Sequence, residues 1–259
     1  MRLSIHVQLE YLMSEPTDLL LQVEAAHLPE QQVEHGHLEL SAVDHFARMS
    51  AQDAVGERVW LRTGGTLAVN YRATVRIERR LADLPSLAQV PAHQLPGETV
   101  PYLFESRYCP SIQFENFVHD TFAGLSGGVL VAAMRDFIHD NFTYRAGAST
   151  AETTALESFV RREGVCRDYA HVLIAMARAA TIPARIASVY APRVDPPDFH
   201  AVAEVFLGGE WHLVDATGMA DEREIAKIGI GRDAADVAFL TAFGRAQMVA
   251  QAIVVTDAG

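Results

Sequence analysis

From residue 1 to about residue 80 the hydrophobic pattern has a period of two. Leu3, Ile5, Val7, Leu9 and Tyr11 alternate with other residues, Leu38, Leu40 and Ala42 continue the rhythm, and Leu67, Val69, Tyr71, Ala73, Val75 and Ile77 are separated by mostly polar positions such as Asn70, Arg72, Thr74 and Arg76. Side chains alternate across a strand, so such runs have one apolar and one polar face. They predict half-buried antiparallel strands and a small β-sandwich-like domain with one solvated face. Residues 83–110 then carry Pro85, Pro91, Pro96, Pro101 and Pro110 with little periodicity, the mark of a connection running over the surface between domains.

Beyond this connection the period becomes helical. Val129, Ala133 and Phe137 lie beside Leu130, Met134 and Ile138 as two stripes at spacing four, which predicts a helix with one buried side. Ser149 and Glu152 have the spacing of a capping box and predict a second helix that buries Ala155, Leu156, Phe159 and Val160 and stops at Gly164. A third helix is predicted to begin around Cys166 and to run through Val172, Leu173, Met176 and Ala177 until Ile182-Pro183, because a residue before proline is pushed out of the helical region. Strand patterns return at 184–190, 200–207, 210–215 and 250–255. The fold class is therefore α+β, with a β-rich domain over residues 1–105, connection included, and a second domain over residues 106–259.

Composition narrows the possible partners. A chain of 259 residues, 49% hydrophobic and 21% charged, can bury substantial cores. Its formal charge of −12 disfavours both a nucleic-acid backbone and an anionic membrane. After Met1 there is neither a charged leader nor an uninterrupted apolar stretch, so no export signal or membrane span is expected and the expected location is cytoplasmic. In that setting Cys109 and Cys166 are expected to be reduced thiols and not a disulfide.

The candidate chemistry starts at Cys166. A thiolate is the nucleophilic form of cysteine, and the unpaired N–H groups at a helix start favour it. The same N–H groups point to where a tetrahedral oxyanion would form. A base is available in the segment from His200 to Asp215, which reads as a β-hairpin turning at Gly208-Gly209. With a two-residue loop, Leu207 pairs with Glu210 and, counting outward, Val202 pairs with Asp215. His200 then shares a face with Asp215 as a diagonal neighbour, roughly 7–8 Å away between backbones and within side-chain reach. A loop one residue longer would turn Asp215 to the opposite face. An aspartate at one ring nitrogen fixes the tautomer and leaves the other nitrogen for the thiol proton. Tyr144, in Phe142-Thr143-Tyr144, is a candidate second oxyanion donor. Cys109 has no helix start or histidine segment around it and reads as structural.

Two metal readings are set aside on spacing. His35 and His37 share a strand face but have no Cys or carboxylate partners at zinc-ligand spacing, so they read as a solvated loop. Asp195 and Asp198 are separated by Pro196 and Pro197, which reads as a stiff turn and not as a calcium loop. No metal or other cofactor is expected.

The segments Gly164-Val165-Cys166-Arg167-Asp168-Tyr169-Ala170-His171, Ile182-Pro183-Ala184-Arg185, Asp198-Phe199-His200-Ala201, Trp211-His212-Leu213-Val214-Asp215-Ala216-Thr217 and Gly231-Arg232-Asp233-Ala234-Ala235-Asp236-Val237 resemble the transglutaminase-like superfamily in residue type and order. The resemblance covers about residues 110–240, in the manner of the bacterial branch that places a β-rich domain first. It implies a papain-like core of helices packed on an antiparallel sheet, and a triad of Cys166, His200 and Asp215. It further implies acyl transfer through a Cys166 thioester, with hydrolysis of an amide or peptide bond in a peptide or protein substrate as the first expectation. Protein-glutamine transamidation or arylamine-acetyltransferase-like transfer is the alternative, since the triad does not encode the acyl acceptor. A non-catalytic scaffold is the reading of another class, and the intact Cys, His and Asp argue against it. Val202 and Ala216 depart from the Trp and Pro common in the family, both beside triad positions. Nothing in the sequence encodes the oligomeric state.

Overall fold

The computed structural model describes residues 1–259. Strand β1 (Arg2–Leu21) and strand β4 (Glu57–Ile77) pair along most of their length, Leu3 opposite Val75 and Leu21 opposite Val59, with a register shift between Met13 and Thr17. Pro16 lies in that shift, where a residue without an N–H can leave the ladder at no further loss. Strand β2 (Gln31–Leu40) covers one half of β4 and β3 (His45–Ser50) the other. The predicted alternation is present: Leu3, Ile5, Val7, Leu9, Tyr11, Val69, Tyr71, Val75 and Ile77 are all buried.

The chain then crosses to the second unit through a connection of short 3-10 turns. This segment is strapped down: Leu87 and Ala88 carbonyls accept the N–H groups of Gly128 and Gly208, each at 2.9 Å. Four helices follow: α1 (Glu115–Thr121), α2 (Gly127–Asn141), α3 (Ala155–Arg161) and α4 (Cys166–Ala179). The two-residue strands β5 (Thr143–Tyr144) and β6 (Glu163–Gly164) pair in parallel. Strands β7 (Ala184–Tyr190), β8 (His200–Leu207), β9 (Glu210–Val214) and β10 (Ala226–Gly231) form an antiparallel sheet in the order β10-β7-β8-β9, against which α4 packs.

The last strands, β11 (Leu240–Ala242) and β12 (Gln247–Asp257), return to the first sheet, where both pair with β1. By hydrogen bonding, then, the end of the segment read as a second domain completes a six-stranded sheet in the first unit. The short stretch at 250–255 predicts a strand but carries no signal for its partner, because as an edge strand it buries only Ile253. Tyr190, Phe199, Ala226 and Ile228 from the second unit close the core of the first.

Helix boundaries show where local chemistry competes. On α2 the stripe of Leu130, Met134 and Ile138 is buried, whereas Val129 faces solvent. Helix α3 starts at Ala155 and not at Ser149: the capping box is Thr154 with Glu157, the Glu157 carboxylate accepting the Thr154 N–H at 2.7 Å. The earlier candidate is spent in a turn, with Thr153 Oγ1 accepting the Thr150 N–H at 2.9 Å. Val160 points out of the helix, 72% exposed, contrary to its expected burial. Nor does Gly164 stop α3; Arg162 does, in the left-handed conformation at φ 58°. Gly164 is needed for space, since a Cβ there would lie 2.6 Å from the Cβ of Asp168.

A buried ion cluster ties the layers together. Glu204 on β8 is fully buried, with Arg185 Nε at 2.7 Å and Lys227 Nζ at 2.5 Å, and Lys227 also reaches Glu30 of the first unit at 3.4 Å. Burial opposes ionisation of Glu204, but Lys227 and Arg185 outweigh it and hold its pKa at about 2. A carboxyl depressed below its unfolded value stabilises the fold above the ordinary pKa and loses that contribution as pH falls through the folded one. Glu204→Gln is therefore expected to flatten the acid limb of a thermal-denaturation series. The wild type should lose on the order of 3 kcal/mol more than the variant between about pH 5 and about pH 2. Parallel curves would mean that Glu204 is not ionised in the native protein.

Candidate active site

Cys166 is the first residue of α4 and follows Val165, whose backbone is extended and whose side chain offers no cap. The capping work is done from inside the helix, where Asp168 Oδ2 accepts the Val165 N–H at 2.8 Å. This return path is what excludes a side chain at Gly164. Arg167 donates to the Thr150 carbonyl at 2.8 Å and so fixes the loop ahead of α3. The result is a thiol at a helix start, partly exposed, on a helix otherwise enclosed by protein.

Tyr144 is brought to the same place by the β5–β6 pair, which sets Tyr144 beside Gly164, with the Arg145 N–H on the Gly164 carbonyl at 2.9 Å. Burial raises the pKa of its hydroxyl; the Cys166 sulfur and the Asp198 carboxylate push it the same way, and the Cys166 backbone N–H opposes them. The phenol is thus a protonated donor at neutral pH and lies against both the thiol and the amide of Cys166.

The hairpin has the register expected of a two-residue loop. Gly208 and Gly209 adopt positive φ, Leu207 pairs with Glu210, and Ala203 pairs with Val214. The ladder ends there, and Asp215 follows β9 directly. His200 Nε2 and Asp215 Oδ2 are 3.0 Å apart, and both side chains are buried. Asp215 is held from all sides. Its Oδ1 accepts the Thr217 N–H and hydroxyl at 2.8 and 2.7 Å, and its Oδ2 also accepts the Ala220 N–H at 2.9 Å. Burial alone would raise its pKa, yet the donors from His200 and Thr217 keep it below the ordinary value. For His200 burial works to lower the pKa, while Asp215 and then Cys166 work to raise it and prevail, at about 10. With Nε2 engaged, Nδ1 is the ring atom left for the thiol, and it has no hydrogen-bond partner.

The remaining candidates lie apart from this trio. Cys109 is completely buried, its sulfur 3.6 Å from the His171 carbonyl, and burial pushes its pKa up to about 12. His35 and His37 belong to β2, on the first sheet. No three His, Cys, Asp or Glu side chains converge as a metal cluster. Two participants escaped the sequence reading. Thr217 has a recognisable signal, an Asp-x-Thr spacing of the kind that builds a side-chain turn. Asp198, read only as part of a stiff turn, accepts hydrogen bonds from its neighbour Phe199 N–H at 2.7 Å and from Gln251 on β12 at 2.6 Å. A partner so distant in sequence leaves no local signal.

An antiparallel sheet carrying a buried helix, with cysteine at the helix start and the His–Asp pair on the facing hairpin, is a transglutaminase-like fold. The family model of the transglutaminase-like superfamily matches residues 129–216. A crystal structure from Cytophaga hutchinsonii, of a protein provisionally described as a cysteine protease, superposes with a TM-score of 0.94 at 32% identity over 100% of this chain and 91% of that one. An uncharacterized protein of Mycobacterium tuberculosis is 37% identical over 127 residues, and one of Mycobacterium leprae 28% identical over 117. The matches cover only 40% and 42% of the lengths of those two mycobacterial proteins. The chain belongs to the transglutaminase-like superfamily.

The burial difference between the thiols has a direct readout. Iodoacetamide is expected to modify the folded protein at Cys166 alone, with Cys109 labelled only after denaturation. Peptide mapping by mass spectrometry checks this; comparable labelling of both cysteines in the native protein would contradict it.

Proposed function

We propose that the chain is a thiol-dependent acyl-transfer enzyme that hydrolyses an amide or peptide bond, with Cys166 as nucleophile, His200 as base and Asp215 as the group that orients it. The observation carrying this reading is the buried His200–Asp215 hydrogen bond of 3.0 Å, which leaves Nδ1 unpartnered at a partly exposed thiol. With the thiol proton already on Nδ1, the sulfur attacks the carbonyl carbon. The Cys166 N–H and the Tyr144 hydroxyl donate to the oxyanion. As the intermediate collapses the C–N bond breaks, Nδ1–H protonates the departing amine, and a thioester remains. Water then gives its proton to Nδ1 and attacks the thioester, and the carboxylic acid is released as the thiolate re-forms. Asp215 keeps the proton on Nε2 throughout.

The relative from Cytophaga hutchinsonii described as a cysteine protease supports a peptide bond as the scissile bond. An amine in place of water would turn the same thioester to transamidation, so the acceptor is an outcome of the experiment. A peptide library incubated with the enzyme and quenched in acid is expected to leave an acyl group on Cys166, detectable by mass. Cys166→Ala should abolish both the adduct and turnover, and Cys109→Ala should change neither appreciably. Asp215→Asn should lower kcat by about 10⁴, because the amide can hold the imidazole in the wrong tautomer. Wild-type rates in that variant, or equal losses in the two cysteine variants, would overturn the assignment.

A further inference from the structure

Asp198 stands two residues before His200, and its charge acts on both His200 and Tyr144, the two side chains that lie against Cys166. Phe199 N–H and Gln251 Nε2 both bond to Oδ1; Oδ2 takes no partner, and the residue is exposed. No Lys or Arg lies within ion-pair distance of it. The other charged groups flanking Cys166 are already engaged: Glu163 pairs with Arg145 at 2.6 Å, and Arg167 is bound to the Thr150 carbonyl. Although the residue as a whole is exposed, its carboxyl group is partly enclosed by neighbouring atoms, and that desolvation holds its pKa above the ordinary value against the pull of Phe199, Gln251 and His200. A partly desolvated carboxylate without a cation is one whose electrostatics a ligand can complete.

Asp198 also lines a small crevice, together with Pro192, Val194, Pro197, Ile253 and Val255, with a volume of about 100 Å³. That is the share of roughly three water molecules, or a short aliphatic chain. Apolar walls with a lone carboxylate among them suit an alkyl stem that ends in an ammonium.

We propose that Asp198, held in place by Gln251, and this crevice form a subsite for an alkylammonium side chain of the substrate, of the lysine type, beside the scissile bond. The subsite deepens the reading of Cys166 as nucleophile and rests on it. Asp198 acts here as a specificity determinant, and its position depends on a strand of the first sheet.

The test uses the thiol as a reporter of charge and needs no turnover. Cys166 in the native full-length protein is modified with aminoethyl methanethiosulfonate and with sulfonatoethyl methanethiosulfonate, and the ratio of the two rate constants is taken. Asp198→Asn is expected to lower the cation-to-anion ratio about tenfold, since one charge acts in opposite senses on the two reagents at short range. Asp120→Asn, on the surface of α1, should change it less than about twofold. In a second arm on the wild type, n-butylammonium should slow iodoacetamide labelling of Cys166 more than n-butanol does. An unchanged ratio in Asp198→Asn, or equal effects of the two butyl compounds, would overturn the subsite. A failure to trap any acyl-enzyme would instead count against the proposed chemistry and leave these ratios as they are.

Discussion

The structure depends on the burial of α4. Every residue from Asp168 to Arg178 is buried, and apolar side chains such as Val172, Leu173, Ile174 and Met176 each contribute on the order of 2 kcal/mol by leaving water. A helix enclosed on all sides has to satisfy its own polar groups internally. Arg178 does so by donating to the Ala184 and Phe104 carbonyls and to Ser106 Oγ at 2.9–3.0 Å. The helix is partly exposed at its first turn, so the core that fixes the helix also fixes the thiol presented there. Burial sets the states of two nearby histidines differently. His171, five residues beyond Cys166 and stacked on Tyr108, has its pKa driven by desolvation to about 3, and as a neutral ring it accepts the Ala234 N–H. His200 meets comparable desolvation but has a carboxylate and a thiol to offset it. One ring is neutral packing and the other holds its proton beside the thiol.

The His–Asp pair is a consequence of register. Because side chains alternate along a strand, a two-residue turn at Gly208-Gly209 decides on which face Asp215 lies. The loop after β9 then fixes the carboxylate: Thr217 and Ala220 occupy its remaining acceptor positions, so its orientation toward Nε2 does not rely on the histidine alone. This is preorganisation by local turn chemistry, and it explains why a short segment carries both members of the pair.

Where the sequence was legible, the cause lay within a few residues. Alternation in β1 and β4, the stripe on α2, the start of α4 and the hairpin register all follow from spacing alone. It was least legible where two local solutions compete or where a partner is remote. Ser149-x-x-Glu152 and Thr154-x-x-Glu157 spell the same cap, and only the Thr150–Thr153 turn decides between them. Strand β10 escaped because Gly229 and Gly231 interrupt its pattern; at Gly229 a Cβ would collide with the Gln22 side chain. The return of β12 to β1, and with it the Gln251–Asp198 contact, is a long-range pairing that no periodicity of the chain announces.

That return bears on how the site is held. Phe199, the neighbour of His200, does not pack in the core that surrounds α4; it belongs to the core of the first sheet, stacked on Phe239 with ring centroids 4.5 Å apart and packed against Tyr190. The backbone just ahead of the histidine is thus anchored to the first core, while β8 beyond it shares the core of α4 through Ala203, Val205 and Leu207. Gln31 ties β10 of the second sheet to the first unit: its side chain donates to the Ala26 and Lys227 carbonyls at 2.7 and 2.8 Å and accepts the Lys227 N–H at 2.6 Å. Both cores therefore bear on the placement of the imidazole, the first through Phe199 and the second through β8. The β-rich unit is in this sense part of the scaffold of the proposed active site.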